Sequence, residues 1–489
     1  MTTEPRNKQP LVLYLIIILG TILRVATIGR DSLWLDEAIS MLTARLPLSA
    51  ILDNSIQDPH PPLYYLLLHG WRLIVPETDG WLRGLSAFWG VLLIPALYAL
   101  ALASGRSRRE AQVAALLVAL SPFQIFYSHE LRMYTLLMLL VTLTVWAYVR
   151  ARPQTGYGWW FLFTVLAAAA LYTHLFAAMT LLAIGLYALL YHRERQALWL
   201  TFGAGIVIGL LFLPWLQLML VEQSQDGGSL RPLLQTFTFN PIIPLTAPTF
   251  LLFGQSSTLI YSGLALFLTL ALLVVLVMDG RKGWREESAS GLLLPVLVVV
   301  LTLGIPLVVY FMRPFFLPER TMAAAAPLLL LLLAWGTTRR GGPLPYLVGG
   351  AAALMLVGTF IYLSGEAQKP PCDAVMTYVA SQRQPGDAVL HTSDGSYLPA
   401  LTYVDWSQHA LLAGDPDPRK AEVVYEIFGG QLWARDEIRA DRLWLIVALE
   451  HSEDWQLAQV AYFETQFHRV ETHNIGGIEI YLYERLFAP

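Results

Sequence analysis

The chain reads as a polytopic α-helical membrane protein with a C-terminal extracytoplasmic α/β domain, and three observations point there. Of its 489 residues, 56% are hydrophobic and only 14% are charged, with a mean hydropathy of +0.53. Soluble domains carry about a quarter charged residues. The charges are also uneven: long apolar stretches hold none, whereas the last 125 residues hold many. Finally, the basic residues fall into short clusters between apolar segments, as cytoplasmic loops do. The implied domains are 1–364, the membrane part, and 365–489, the soluble part, with 29–80 an outer loop.

The first apolar run, "LVLYLIIILGTILRVATI", spans Leu11 to Ile28. At about 1.5 Å per residue it just crosses a hydrocarbon core. The "RVATIGRDS" that follows lacks the small-residue pattern of a signal cleavage site, so the run reads as an uncleaved first helix. The further apolar segments are 81–103, 111–128, 131–149, 158–172, 174–191, 197–221, 258–278, 291–312, 320–336 and 345–364, eleven in all with the first. The basic clusters are Arg6/Lys8, "SGRSRRE" (104–110), "RARPQ" (150–154), "HRERQ" (192–196), "DGRKGWRE" (279–286) and "TTRRGG" (337–342). Eleven spans place every cluster, and the N-terminus, on the cytoplasmic side.

Residues 29–80 then lie wholly outside. Their apolar stretch "PPLYYLLLHGWRLIV" (61–75) carries His69 and Arg72 and reads as a helix lying in the membrane interface. The Gly-, Pro-, Ser- and Thr-rich 222–257 reads as an outer loop, either a lid or a connector. Beyond 365 the pattern changes. "DAVMTYVASQ" (373–382) and "DWQLAQVAYFETQF" (454–467) have helical periodicity. "DAVLHT" (387–392), "RLWLIVAL" (442–449) and "GGIEIYLYER" (476–485) read as strands. This domain shows no nucleophile elbow and no phosphate loop.

Composition excludes several functions. A net charge of −4 gives no basic footprint for nucleic acid. The single Cys372 rules out an internal disulfide or a Cys-ligated metal centre. Fifteen Trp and 22 Tyr suit a protein with many membrane interfaces.

Ionisable residues at membrane depth are costly, so those that persist tend to be paired or functional. Here they gather on the predicted outer side: Asp36 and Glu37 in "DSLWLDEAIS", Asp58 and His60 in "QDPHPPLYY", His129, Glu130 and Arg132 in "YSHELRMY", His174 in "YTHLF", and Arg313, Glu319 and Arg320 in "RPFFLPERT". Each has an ordinary alternative. Asp36 and Glu37 would cap a helix, the prolines around His60 would end one, Glu130 and Arg132 would pair, His174 would be an interior histidine, and Arg320 would snorkel to headgroups. Acids, imidazoles and arginines from five outer segments together suggest an active site for an anionic ligand.

The order "WLDEA", "DPHPPLYYLLLHGW", "YSHELRMYTLL", "YTHLF", "PERTMAAAAPLLLLLLAWG" resembles bacterial members of glycosyltransferase family 39, which includes protein O-mannosyltransferases and the lipid A aminoarabinose transferase. The resemblance spans roughly residues 10–340 and is carried mainly by "WLDE" followed by "HPPLYY". It implies a GT-C fold, a polyprenyl-monophosphate-linked sugar as donor, transfer on the outer face, and inversion at the anomeric carbon. It places the catalytic carboxylate at Asp36, with Glu37 beside it and Glu130 assisting. The family's late-helix arginine, usually followed by Tyr, corresponds to Arg320 with Thr321 after it; the aminoarabinose branch has Lys-Pro where this chain has His60-Pro61.

The chemistry agrees. Polyprenyl phosphate is a good leaving group, so the second carboxylate of a glycosidase is not required. One carboxylate, Asp36, takes the acceptor's proton, and His60, Arg132 and Arg320 hold the phosphate. Asp58, His60, Glu130 and His174 offer O and N donors suited to one divalent metal ion, the cofactor such a set would take; a hydrogen-bond network would use the same groups. The expected partners are the lipid-linked donor, membrane lipids and an acceptor that is a protein, a glycan or a lipid. A transporter or flippase would show repeats and midplane charges, which are absent here. A non-catalytic envelope-assembly protein would not need acids and arginines in five outer segments.

Overall fold

The computed structural model describes residues 9–57, 60–191, 194–226, 240, 242–283, 291–312, 318–337, 342–365, 369–415, 427–448 and 453–486. The chain forms two compact units. One contains Met1–Ile28, Ser55–Tyr64 and Arg83–Ala367; the other contains Gly29–Asn54, Tyr65–Leu82 and Gln368–Pro489. The sequence reading put 29–80 with the membrane part. Most of that stretch instead groups with the C-terminal residues, because Ala38 and Leu42 share one buried core with Tyr397, Leu398 and Leu411.

Helix α1 (Gln9–Val25) is followed by three short helices, α2 (Leu35–Arg45), α3 (Leu48–Gln57) and α4 (Leu63–Arg72). At ten residues α4 is too short to cross a bilayer. Then come α5 (Asp79–Ala103), α6 (Arg108–Leu120), α7 (Pro122–Ser128), α8 (Tyr134–Arg150), α9 (Tyr157–Thr173), α10 (Ala177–Tyr191), α11 (Arg195–Asp226), α12 (Ile242–Phe253), α13 (Leu259–Gly283), α14 (Leu293–Met312), α15 (Pro318–Thr321), α16 (Ala326–Gly336) and α17 (Leu344–Ser364). Each of the eleven apolar segments is helical over most of its length. Among the described residues, five helices are long and apolar enough to cross a membrane, six if α6 and α7 count as one span, and five shorter helices are also apolar.

Three departures have local causes. The segment 111–128 is not one helix: α6 and α7 meet at 55°, where Pro122 opens a new helix and the Ser121 hydroxyl accepts from the Gln124 amide. The loop 222–257 is partly helical, because "IIPLTAPTFLLF" forms α12. Residues 320–336 are divided among α15, a 3₁₀ turn at Ala323–Ala325 and α16.

Within the helical unit, α1 packs on α6, α8 on α9, α10 on α14, and α16 on α6. A Cβ at Gly90 would collide with the Ser128 hydroxyl, so the absent side chain permits that approach. Arg24 is fully buried in α1 and donates to the carbonyls of Gly20 (3.1 Å), Val118 (2.8 Å) and Ala119 (3.3 Å), stitching α1 to α6. Leu264, Phe267 and Val274 of α13 are exposed, a face suited to lipid.

The other unit contains α18 (Cys372–Gln382), β1 (Ala388–His391), α19 (Asp394–Tyr403), β2 (His409–Leu412), β3 (Leu432–Trp433), β4 (Arg442–Ala448), α20 (Glu453–Phe463), β5 (Phe467–Ile475) and β6 (Ile478–Arg485). The sheet order is β3-β2-β1-β4-β6-β5, parallel from β3 to β4 and antiparallel thereafter. Strands β1 and β2 are buried at every residue, as in a sheet covered on both faces. The sequence patterns gave α18, β1, β4, α20 and β6. They missed α19, β2, β3 and β5, and ran the α20 helix into what is the first residue of β5.

Candidate functional site

The candidate residues fall in both units. In the unit with the sheet, Asp36 and Glu37 occupy the first turn of α2, where the helix dipole favours negative charge. Successive helical residues point about 100° apart, so the two carboxylates part company. Glu37 is completely buried and pairs with Lys369 at 2.8 Å, whereas Asp36 keeps partial solvent access. The Asp36 carbonyl accepts from the Ser40 hydroxyl at 3.1 Å.

The loop leading into α2 is tied to distant residues of the same unit. The Ser32 hydroxyl donates to the Pro370 carbonyl (2.6 Å) and accepts from the Cys372 amide (3.0 Å). The Leu33 amide donates to the Tyr403 hydroxyl (2.6 Å), which in turn donates to Asp79 (2.8 Å). Burial, reinforced by the Asp79 charge, pushes the Tyr403 phenol far above its ordinary range, so it stays a donor. Arg45 binds Glu77 (3.1 Å) and the Thr402 carbonyl (3.2 Å).

In the helical unit the structure brings His60 and His174 together, their rings edge to face with centroids 5.6 Å apart. Tyr134, at the start of α8, lies 6.2 Å from the His174 ring. His174 ends α9, and its Nδ1 accepts from the Phe176 amide (3.2 Å), which leaves the proton of the neutral ring on Nε2. Glu130 and Arg132 are buried in the turn between α7 and α8. The Arg132 carbonyl accepts from the Ser86 hydroxyl (3.2 Å), which lies 3.0 Å from the Tyr64 hydroxyl. Arg320 is half-buried in α15.

Some sequence candidates fall elsewhere. His129 serves helix packing: its Nε2 donates to the Arg24 carbonyl (2.8 Å) and its Nδ1 accepts from the Tyr362 hydroxyl (3.1 Å). Asp58 and Arg313 lie outside the described residues, as does the side chain of Glu319. Among the described residues, no group of three or more His, Cys, Asp or Glu converges to hold a metal ion. Of the expected four ligands, the two imidazoles approach each other, and Asp58 lies outside the described residues. An apolar cavity of about 510 Å³ among α13, α14 and α16 is lined by residues such as Val300, Leu329 and Trp335 and by none of the charged candidates.

Sequence reasoning missed Lys369 and Arg83. Arg83 is 1% exposed, and its guanidinium donates to the Ile28 carbonyl at 3.2 Å. Its place in "DGWLRG", at the outer start of an apolar segment, was the signal that could have found it. Lys369 had no such signal, because nothing local marks it.

Solved structures of known proteins supply the fold. ArnT from Cupriavidus metallidurans, both apo and bound to undecaprenyl phosphate, superposes with a TM-score of 0.64 at 13% identity, over 96% of this chain and 97% of that one. This chain has the GT-C fold. The Archaeoglobus fulgidus oligosaccharyltransferase in the apo form also matches, with a TM-score of 0.53 at 13% identity, over 97% of this chain and 74% of that one. Residues 59–217 match the family model described as dolichyl-phosphate-mannose-protein mannosyltransferase. That segment holds His60, Glu130, Arg132 and His174, while Asp36 and Arg320 lie outside it. No curated protein matches. The resemblance to glycosyltransferase family 39 therefore holds in a family model as well as in the motifs, and the fold is the GT-C fold it implied.

Proposed function

We propose that this protein is a membrane glycosyltransferase that takes a sugar from a polyprenyl-phosphate donor and passes it to an acceptor at the outer face. In this reading the eleven apolar segments each cross the membrane, the N-terminus is cytoplasmic and the sheet domain is extracytoplasmic. The observation that carries it is the division within the acid pair: in a GT-C chain Glu37 is buried and ion-paired while Asp36 keeps solvent access.

Asp36 takes the proton from the acceptor group as its heteroatom attacks the anomeric carbon. The bond from that carbon to the phosphate oxygen breaks, and polyprenyl phosphate leaves with the electron pair. Attack opposite the leaving group inverts the anomeric centre. Arg132 and Arg320 meet the charge that grows on the phosphate, with His60 as a further donor. Glu130, buried in the turn before α8, assists Asp36 as the resemblance implies. No step is routed through a metal; a divalent ion on His60, His174, Glu130 and Asp58 is tested with a chelator. Loss of turnover with EDTA, restored by Mg²⁺ or Mn²⁺, would assign one.

The test is release of polyprenyl phosphate from a panel of polyprenyl-phosphate sugars, with purified full-length protein in detergent and candidate acceptors. Asp36→Asn is expected to lose about 10²- to 10⁴-fold in turnover, the usual worth of a positioned base. Equal rates for the variant and wild type on every donor would remove Asp36 from the chemistry.

A further inference from the structure

We propose that Lys369 is a positioning residue for the acid pair: by holding Glu37 it fixes the first turn of α2 and thereby the direction of the Asp36 carboxylate. This rests on the reading of Asp36 as the base.

Three observations combine. First, the contact is an interior one: Glu37 is 0% exposed and Lys369 10% exposed at 2.8 Å. A buried carboxylate that loses its cation is strongly unfavourable, so the pair resists opening. Second, the turn needs an anchor. Trp34 at the N-cap of α2 supplies no side-chain cap, so the usual Ser or Asp device for fixing a first turn is missing. Third, the anchor is itself held. Ser32 bonds the Pro370 carbonyl and the Cys372 amide, and Cys372 opens α18 in the buried core. The backbone on both sides of the ion pair, before α2 and after Lys369, is thus closed into one loop.

Because Asp36 and Glu37 are adjacent on one helical turn, a Glu37 held inward fixes the backbone of that turn and with it the Cα–Cβ direction of Asp36. The Asp36 carboxylate is then left with the few staggered rotamers that this direction allows. A base that drifts by about 1 Å costs on the order of 10²-fold in rate, and the loss appears in kcat because the proton is taken only in the transition state.

The experiment uses full-length protein in nanodiscs with undecaprenyl-phosphate mannose, alongside the wider donor panel. Lys369→Met should lower the unfolding temperature, because Glu37 is left buried without its cation. The double variant Glu37→Gln/Lys369→Met removes that charge and should restore the unfolding temperature to near wild type. Its kcat should nevertheless stay about 10- to 100-fold low with KM within about twofold. Lys369→Arg, which keeps the cation, should retain most of the turnover. A refolded double variant with wild-type kcat would reduce the pair to a structural one and overturn the proposal. Should wild type release nothing from any donor, the transferase reading falls, and this proposal falls with it.

Discussion

Two histidine pairs, one in each unit, make an instructive contrast. His60 and His174 in the helical unit meet edge to face at 5.6 Å, and His60 is half-buried. His391 and His409 in the sheet domain are both buried, and their Nε2 atoms lie 2.8 Å apart. The second pair can be assigned proton by proton. Ser396 donates its hydroxyl proton to the Ser393 carbonyl (3.0 Å), so His391 Nδ1, at 2.9 Å, must be the donor to Ser396. His391 Nε2 is then an acceptor, and His409 Nε2 donates to it. Both rings are neutral, and the pair belongs to the core. The first pair lies beside Tyr134, whose ring centroid is 6.2 Å from that of His174. Residue type alone does not mark the second pair as core; its hydrogen-bond accounting does.

The contrast can be broken by mutation. His391→Leu strands the His409 Nε2 donor in the interior and takes from the Ser396 oxygen the proton it accepts, and should cost about 3 kcal/mol of stability, read as a lower unfolding temperature of the full chain. His174→Ala removes a buried ring that accepts the Phe176 amide, so it should cost some stability, and turnover should fall by more than that loss accounts for. If His174→Ala unfolds the protein instead, His60 and His174 are core furniture too.

Acid sharpens the same comparison. Burial holds His391 well below the ordinary 6.5, with His409 adding to it, and holds His409 at about 4. The unfolded chain therefore binds protons that the folded one does not. The stability from keeping these rings neutral is complete above pH 6.5 and is lost as pH falls from there through about 4. Unfolding temperature against pH should show this decline in wild type and a shallower one in His409→Phe. The smallest effect is expected at the exposed Arg45–Glu77 pair, where each side chain is about a third exposed: Arg45→Ala should cost under about 1 kcal/mol.

How legible these features were follows from the range of the forces behind them. Apolar runs and basic loops are local, and each expected span was found helical. Strands β1 and β4 announced themselves as apolar runs, whereas β5, "FHRVETHNI", is an exposed edge strand whose polar residues carry no alternation to read. The break at Pro122 was visible in the sequence but was passed over inside a long apolar segment. The set of candidate residues was half legible. Asp36, His60, Glu130, Arg132 and His174 stood out as polar residues in apolar surroundings. Lys369 did not, because its meaning comes from a partner 332 residues away.

That separation bears on how the protein is made. α2 emerges early from the ribosome, yet the residues that complete its packing, Tyr397, Leu398 and Leu411, and the cation that neutralises Glu37 come only after α17. Domains generally fold as units during synthesis, N-terminal ones first, but this one is discontinuous and must wait for both of its ends. Until the last quarter of the chain arrives, Glu37 lacks the Lys369 cation. An unfinished or truncated chain would therefore lack the Glu37–Lys369 pair and the packed first turn of α2.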